Sequence, residues 1–377
     1  MSDPVAPIAD VESLATMDVA GRSARLLTAM AAAEVDALLV TNLANIRYLT
    51  GFTGSAALLL AAPDGLTFVT DGRYGQQANA QLAAAGVTAA IQVSGTGQKD
   101  LVVGAVRATG VSRLGLEADA VTWAAQRTYD EHWFADLELV PTAGLVAGLR
   151  LHKDDGEVAR IASASAIADS ALAEVRARLA ERPTEVEFAL ELDTAMRRLG
   201  ADDVSFETIV ASGPNGARPH HRPGHRTIVE GDLVVIDFGA LVDGYHSDMT
   251  RTVMVGQASS TQARMYDVVL EAQAAGVAAV GDGVEAKAID DACRAVIDEA
   301  GWLDAFLHGT GHGVGLDIHE DPRVGQTSTA TLSTRCVVTV EPGVYLPEHG
   351  GVRIEDTVVV TPDGCRPVTM THKSAAV

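Results

Sequence analysis

The sequence has few cysteines, and they are widely spaced. Cys293, Cys336 and Cys365 are the only three among 377 residues, and none belongs to a Cys-x-x-Cys pair. An odd number of separated cysteines favours a reducing compartment over a disulfide framework. The sequence shows no signal-peptide pattern, and no apolar run approaches the ~18 residues of a membrane helix. We therefore expect a cytoplasmic protein, with Cys336 packed in its core.

Basic and aromatic residues are also scarce. Lys and Arg number 28 against 50 Asp and Glu, which gives a formal net charge of −22. Nucleic acids and anionic membranes bind proteins through basic patches, so we expect neither as a partner. Aromatic residues make up 4% of the chain and apolar residues 47%, which predicts a soluble globular protein with an aliphatic core. No Gly-x-Gly-x-x-Gly follows a predicted strand, which argues against a dinucleotide site.

The length allows two domains, and the residue pattern predicts a different class for each. Residues 1–150 alternate short apolar strands with helices rich in alanine and leucine, which indicates an α/β domain. The predicted strands are 37–40, 56–61 and 66–70, and the predicted helices are 23–35, 74–85 and 103–109. A polar stretch at 148–156 marks the expected boundary. Residues 151–377 begin with helices and continue mainly with strands, which is typical of an α+β domain.

Caps, turns and periodicity locate the elements of the second domain. Thr184 and Glu187 have the spacing of a capping box, which predicts a helix from there to about residue 199. Asp243-Gly244 is a strong hairpin signal. Further helices are predicted at 157–179, 261–280 and 284–299, and strands at 207–212, 232–239, 246–255, 336–341 and 352–360.

Four carboxylates and one histidine lie in or beside predicted strands or a glycine-rich segment. They are Asp237, Asp248, His312, Glu341 and Glu355. An ionised carboxylate at the end of a Val/Ile strand, as at Asp237 and Glu341, is costly unless it is paired or bound to a cation. A hairpin at 243–244 would bring Asp237 and Asp248 together across a strand pair. Glycines around His312 would leave its ring accessible.

Each of these five residues has a plain alternative when taken alone. The carboxylates could be solvated strand ends, and His312 could be structural. Taken together, four carboxylates without nearby lysine would repel one another, and a pair of divalent cations would remove that conflict. An oxygen-rich set with one imidazole suits Mn²⁺, Co²⁺, Fe²⁺ or Zn²⁺. Two such ions can share a hydroxide and polarise a carbonyl, so hydrolysis is the expected reaction.

The order of the five residues and their flanking segments resemble the metallopeptidases of the pita-bread fold, which include methionine aminopeptidase, aminopeptidase P and prolidase. This resemblance covers about residues 157–362. The segments 45–55 and 70–74 resemble the N-terminal domain of aminopeptidase P and prolidase, which methionine aminopeptidases generally lack. The resemblance implies a pita-bread catalytic domain in residues 151–377 and a smaller α/β domain, of the creatinase/prolidase N-terminal type, in residues 1–150.

The resemblance also implies a role for each candidate ligand. Asp237 would bind one of two divalent metal ions, and Asp248 and Glu355 would bridge both. His312 and Glu341 would complete the site of the second ion. Glu341 would also act as general base and then acid for the bridging water. Mn²⁺ is the metal expected first, with Co²⁺, Fe²⁺ and Zn²⁺ as alternatives.

Four further residues match catalytic positions of the family. His220 would stabilise the charge that develops near the scissile peptide, and His319 would contact the substrate carbonyl. His308 and Arg353 would line the pocket for proline and the downstream carboxylate, which an arginine fork suits.

Three alternatives to these assignments stay open. His221 competes with His220 but fits the motif less well. Arg353 could instead be a structural partner of Glu355 or Asp356. Tyr245 could support the hairpin that carries the aspartates, or it could simply pack.

The activity that the resemblance implies is cleavage of the peptide bond before proline, a tertiary amide that ordinary peptidases fit poorly. The substrates would be short peptides with proline as second residue. An Xaa-Pro dipeptidase is expected first, with an Xaa-Pro aminopeptidase or a broader dipeptidase as alternatives. Non-catalytic pita-bread proteins and metal-free creatine hydrolases lack the intact ligand set. The family also suggests a homodimer through the N-terminal domain.

Overall fold

The computed structural model describes residue 8 and residues 10–376. The chain divides into two compact units, Met17–Arg150 and Leu151–Val377, and the described residues before Met17 belong with the second. No helix within the described part of the chain is long and apolar enough to cross a bilayer.

The N-terminal unit is a six-stranded mixed sheet with helices, as the α/β class predicts. Its strands are β1 (Ala37–Val40), β2 (Ala57–Ala62), β3 (Gly65–Thr70), β4 (Ala89–Val93), β5 (Arg113–Glu117) and β6 (Glu138–Thr142), in the order β4-β3-β2-β1-β5-β6. Its helices are α1 (Arg22–Ala32), α2 (Leu43–Thr50), α3 (Gly75–Ala84), α4 (Gln98–Thr109), α5 (Trp123–Thr128) and α6 (Leu145–Arg150). Because β1 lies inside the sheet, all four of its residues are buried, and they form a continuous apolar run.

In its described residues, the C-terminal unit combines four α-helices and short 3-10 turns with several small sheets, as the α+β class predicts. The helices are α7 (Asp155–Val175), α8 (Glu185–Arg198), α9 (Ser260–Ala279) and α10 (Ala286–Glu299). The strands are β7 (Asp203–Val204), β8 (Ile209–Ser212), β9 (Leu233–Phe238), β10 (Ala240–Val242), β11 (Tyr245–His246), β12 (Met249–Met254), β13 (Gly311–Gly313), β14 (Glu320–Val324), β15 (Val337–Val340), β16 (Gly343–Leu346), β17 (Gly350–Arg353), β18 (Asp356–Thr361) and β19 (Gly364–Pro367). They form the sheets β11-β10-β7, β12-β9-β8, β14-β13-β15-β18-β19 and β16-β17.

The local signals for a cap and a turn are confirmed. Thr184 and Glu187 form a reciprocal capping box at the start of α8, an arrangement worth about 1 kcal/mol. A two-residue turn joins β10 to β11, with φ of 45° at Asp243 and 74° at Gly244. Positive φ at both central positions is what a type I′ hairpin turn requires, and Asp-Gly tolerates it well.

Two of the predicted strands are each interrupted. The predicted strand 246–255 consists of β11 and β12, separated at Ser247 and Asp248. The predicted strand 352–360 consists of β17 and β18, which belong to different sheets and are separated at Ile354 and Glu355. The prediction of single strands was wrong because the chain leaves one sheet for another at each break.

Two apolar cores support the C-terminal unit. One lies among α7, α8 and the β12-β9-β8 sheet, and the other lies among α9, α10 and the five-stranded sheet. Cys336 is buried in the second core, as predicted. Fully burying an aliphatic side chain such as Val234 or Val338 contributes roughly 1.5–3 kcal/mol, so these cores hold the strands that carry the candidate ligands.

Candidate metal centre

The five candidate ligands lie on or beside strands of two sheets, and all five line the same cavity. Asp237 lies on β9 and pairs in register with Thr250 of β12, and Asp248 directly precedes β12. The other three ligands come from three adjacent strands of the five-stranded sheet: β13 contains His312, Glu341 follows β15, and Glu355 precedes β18. Pairing within each sheet brings together residues that are far apart in the sequence, and a hydrogen bond from Thr250 of β12 to Glu355 joins the two groups.

The ligand atoms of Asp248, His312 and Glu355 all lie within 4.8 Å of one another, and the three residues are buried. The Nε2 atom of His312 is 3.5 Å from Oδ2 of Asp248 and 3.4 Å from Oε1 of Glu341. The other ring nitrogen, Nδ1, is 3.0 Å from the carbonyl oxygen of Gly313. A proton on Nδ1 leaves Nε2 free to bind a cation, the usual arrangement for a ligating histidine.

Two threonines hold the glutamates in position. Thr250 Oγ1 donates a 2.7 Å hydrogen bond to Oε2 of Glu355, and Thr339 Oγ1 donates a 3.2 Å bond to Oε1 of Glu341. Each bond engages one carboxylate oxygen. Neither threonine was predictable from the sequence, because hydroxyls that orient a ligand have no characteristic spacing.

Two carboxylate oxygens lack the partner that burial demands. Oδ1 of Asp237 and Oε1 of Glu355 are buried and accept no hydrogen bond from the described residues. An unsatisfied buried acceptor costs about 1–3 kcal/mol, and more when it is charged. Bound cations would remove that cost, and the donor set of four carboxylates and one imidazole suits a divalent metal. The residues present therefore fit the metal site that the sequence suggested.

The pKa shifts within the cluster also indicate a cation site. Burial, followed by repulsion from Glu355 and Asp237, raises the pKa of Asp248 well above its usual range. Burial and neighbouring carboxylates do the same to the pKa of Glu355. Burial raises the pKa of Glu341 to about 8 and lowers that of His312 to about 4. Without a cation the cluster keeps protons at neutral pH, whereas a divalent ion would favour the ionised carboxylates.

Arg353 is buried, lines the cavity and bonds both a candidate ligand and a tyrosine. Its Nη2 donates a 2.6 Å hydrogen bond to Oδ2 of Asp237, and its Nη1 donates a 2.8 Å bond to the hydroxyl of Tyr345. That hydroxyl is also 2.7 Å from Nε2 of His308. The alternative partners considered for Arg353 were Glu355 and Asp356, but its ion pair is with Asp237, and Asp356 pairs with Arg251 at 2.8 Å. Arg353, Tyr345 and His308 therefore form one hydrogen-bonded chain.

Every site residue predicted from the sequence lines a single cavity of about 640 Å³. The lining includes His220, Asp237, Asp248, His308, His312, His319, Glu341, Arg353 and Glu355. Apolar side chains complete its walls, among them Phe206, Ile209, Phe306, Leu307 and Ile318.

The other two residues considered, His221 and Tyr245, are not among the residues that line the cavity. His221 is outside the cavity lining and faces Glu185, with Nε2 2.9 Å from Oε2. Tyr245 is buried and donates a 2.9 Å hydrogen bond to Glu157 at the start of α7. Tyr345 was missed because β16 was not predicted, so nothing indicated which way its side chain points.

Comparison with known proteins agrees with this geometry. The chain matches the model of metallopeptidase family M24 over residues 159–362 and that of the creatinase/prolidase N-terminal domain over residues 22–152. An uncharacterised peptidase of Bacillus subtilis (strain 168) is 42% identical over 90% of this chain and 95% of its own. The solved structure of an Xaa-Pro dipeptidase from Bacillus anthracis has a TM-score of 0.90 at 38% identity, covering 95% of this chain and all of that one. An X-Pro aminopeptidase from Thermotoga maritima MSB8 has a TM-score of 0.86 at 33% identity, covering 94% of this chain and all of that one.

These matches define a peptidase built from two domains, with a candidate site for a divalent metal. The chain belongs to metallopeptidase family M24. The resemblance on which the sequence analysis rested is thereby confirmed, as is the fold class.

Proposed function

We propose that this peptidase is an Xaa-Pro dipeptidase that uses two divalent metal ions, with Mn²⁺ the first to test. The similarity to the Bacillus anthracis protein of that name supports the substrate class. The observation that carries the metal assignment is the pair of buried, unpartnered oxygens on Asp237 and Glu355 within the carboxylate cluster. When bound at Asp237, Asp248, His312, Glu341 and Glu355, the ions would supply a nucleophilic hydroxide at neutral pH and polarise the scissile carbonyl.

The side chains around the cluster supply the remaining chemistry. Glu341 is the proposed proton carrier, because its carboxylate lines the cavity within the ligand cluster, with Oε1 3.4 Å from Nε2 of His312. His220 and His319 lie on the exposed part of the cavity wall, where they can donate to a substrate carbonyl. His308 is held by Tyr345, and burial lowers its pKa to about 4, so it acts as a neutral hydrogen-bonding group.

The preference for a dipeptide rests on Arg323. This exposed residue lines the cavity, and its guanidinium makes no hydrogen bond or ion pair with the residues that the structure describes. Its positive charge opposes protonation of both His319 and Glu341. An available guanidinium at that position can bind the carboxylate of a C-terminal proline. Arg353 is a weaker candidate for that role, because Asp237 and Tyr345 already engage its fork.

An Xaa-Pro aminopeptidase is the second candidate, favoured by the similarity to the Thermotoga maritima structure. Initial rates on Ala-Pro, Ala-Pro-Ala and Leu-Leu with added Mn²⁺ distinguish the possibilities. We expect cleavage of Ala-Pro alone. Release of Ala from Ala-Pro-Ala would establish the aminopeptidase, and cleavage of Leu-Leu would establish a broader dipeptidase. No cleavage of any of them would leave a peptide-binding protein.

A further inference from the structure

A loop between β8 and β9 carries His220 to the cavity. His220 is exposed, and its imidazole makes no hydrogen bond with any described residue. The position of the ring therefore depends on the backbone of this loop, residues 212–224. What holds the loop should decide where the imidazole lies.

The carboxylate of Glu185 accepts several hydrogen bonds from that loop. Its Oε1 accepts bonds from the backbone N–H of Ser212 at 2.8 Å, from Ser212 Oγ at 2.6 Å and from Asn215 Nδ2 at 2.9 Å. Its Oε2 lies 2.9 Å from His221 Nε2 and accepts a 3.1 Å bond from the backbone N–H of Gly224. These contacts reach both ends of the loop and the residue adjacent to His220.

The burial of Glu185 and its place in the helix determine its charge state. Its side chain is 0% exposed and lies in the first turn of α8, where the helix dipole favours a negative charge. Burial alone would raise the pKa of Glu185, but the hydrogen bonds from Ser212, Asn215 and His221 hold it below the usual value. The carboxylate is therefore ionised, and donors from the loop surround it.

The loop also contacts β17, the strand that carries Arg353. A Cβ added to Gly351 would lie 2.0 Å from the carbonyl oxygen of Gly216, so the two backbones are in close contact. Arg353 Nη1 also donates a 3.3 Å hydrogen bond to the carbonyl oxygen of Pro219, the residue before His220. Both Glu185 and β17 therefore hold the loop.

We infer that Glu185 is a positioning residue for catalysis, which acts through Ser212, Asn215 and His221 to place the imidazole of His220 against the substrate. This inference rests on the proposed function, because it requires His220 to act in peptide hydrolysis. It also assigns His221 to the support of the loop.

A double-mutant cycle tests the inference, using Ala-Pro as substrate and Mn²⁺ as added metal. Glu185→Gln keeps the shape of the side chain but replaces one acceptor oxygen with an N–H₂ group that faces donors. We expect it to lower kcat/KM roughly 10- to 100-fold while the bound metal per chain stays at the wild-type level. In a His220→Ala background the same substitution should cost less than about threefold, because the group it positions is gone.

Glu187→Gln is the matched control. Glu187 lies two residues further along α8 and is exposed, and Gln can replace Glu in its capping box, so wild-type rates are expected. If Glu185→Gln yields no folded protein, the same cycle is run with His221→Ala, which removes the contact between His221 Nε2 and Glu185.

Three results would overturn the positioning role: wild-type rates in Glu185→Gln, loss of bound metal in that variant, or the same fold-loss in both backgrounds. A wild-type protein that cleaves no Xaa-Pro peptide would overturn the proposed function instead, so the two failures are distinguishable.

Discussion

Arg353 and Asp237 are joined by a hydrogen bond of 2.6 Å between Nη2 and Oδ2, although they come from different sheets. Arg353 is 3% exposed and also donates to Tyr345. A single guanidinium therefore connects a candidate metal ligand to Tyr345, whose hydroxyl in turn contacts His308 of the cavity wall. This contact holds one oxygen of Asp237 in place and leaves the other, which is buried, available to a cation.

Arg353→Lys should break the hydrogen-bonded connection between Asp237 and Tyr345. An ammonium group cannot reproduce the planar fork that reaches Asp237 and Tyr345 together. We expect kcat/KM for Ala-Pro to fall about 10- to 100-fold, the usual cost of removing a partner of a metal ligand. Steady-state kinetics with metal analysis of the same samples checks this. Arg366→Lys, at an exposed position on β19, is the control, and an equal loss there would contradict the interpretation.

Glu341→Gln should remove the proton carrier while preserving the shape of the side chain. We expect turnover to fall by roughly 10²–10⁴-fold, as for other positioned acid–base groups, together with weaker binding of one metal ion. Rapid-quench or steady-state rates on Ala-Pro, combined with titration of Mn²⁺, measure both effects. Glu348→Gln changes an exposed glutamate between β16 and β17 and should be silent. Wild-type turnover in Glu341→Gln would rule out the assigned role.

Arg323→Met tests whether the cavity binds the free C-terminal carboxylate of the substrate. Loss of the guanidinium should raise KM for Ala-Pro about tenfold, the scale of a partly exposed charge-assisted hydrogen bond. The amide of the same dipeptide has no carboxylate, so its KM should be unchanged. Arg323→Lys keeps the charge and should recover part of the affinity. Equal effects on the acid and the amide would show that Arg323 binds something else.

The stability of the metal-free protein should fall as pH rises from 7 to 8.5. A carboxyl whose pKa is higher in the folded state contributes stability that is present below its ordinary pKa and lost as pH passes the folded value. For Glu341 those values are 4.5 and about 8. His308 and His312 have pKa values lowered to about 4 and act in the opposite sense, but only below their ordinary 6.5.

Bound divalent metal should abolish that loss, because it keeps the carboxylates ionised in the folded state. The difference in Tm between Mn²⁺-loaded and chelator-treated protein should therefore increase between pH 7 and pH 8.5. Differential scanning calorimetry at both pH values measures it. Glu341→Gln should reduce the increase, and a difference that shrinks with rising pH would contradict the assignment.

Sequence alone predicted the features that depend on local chemistry. The cap at Thr184, the Asp243-Gly244 turn and the apolar core of β9 each follow from residues close together in the chain. The segments around the candidate ligands were found in the same way. Local signals are strong where a single residue type satisfies a backbone requirement.

Long-range contacts were not predictable from the sequence in this way. The break at Glu355 depends on how β17 and β18 join different sheets, which no residue in that segment encodes. Tyr345 and Thr250 became recognisable only when strand pairing placed them beside Arg353 and Glu355. Glu185, in the first turn of α8, accepts hydrogen bonds from the loop after β8. The capping pattern at Thr184 does not predict these long-range contacts.

The most direct test of the central claim is a metal titration of Ala-Pro hydrolysis. Protein stripped with a chelator is assayed while Mn²⁺ is added in steps, and Co²⁺, Fe²⁺ and Zn²⁺ are tested in parallel. We predict no hydrolysis without metal and activity that rises to a plateau at about two equivalents per chain, as a two-metal site requires. Full activity in the metal-free protein, or none with any of the four metals, would contradict the assignment of this site as a dinuclear Xaa-Pro dipeptidase centre.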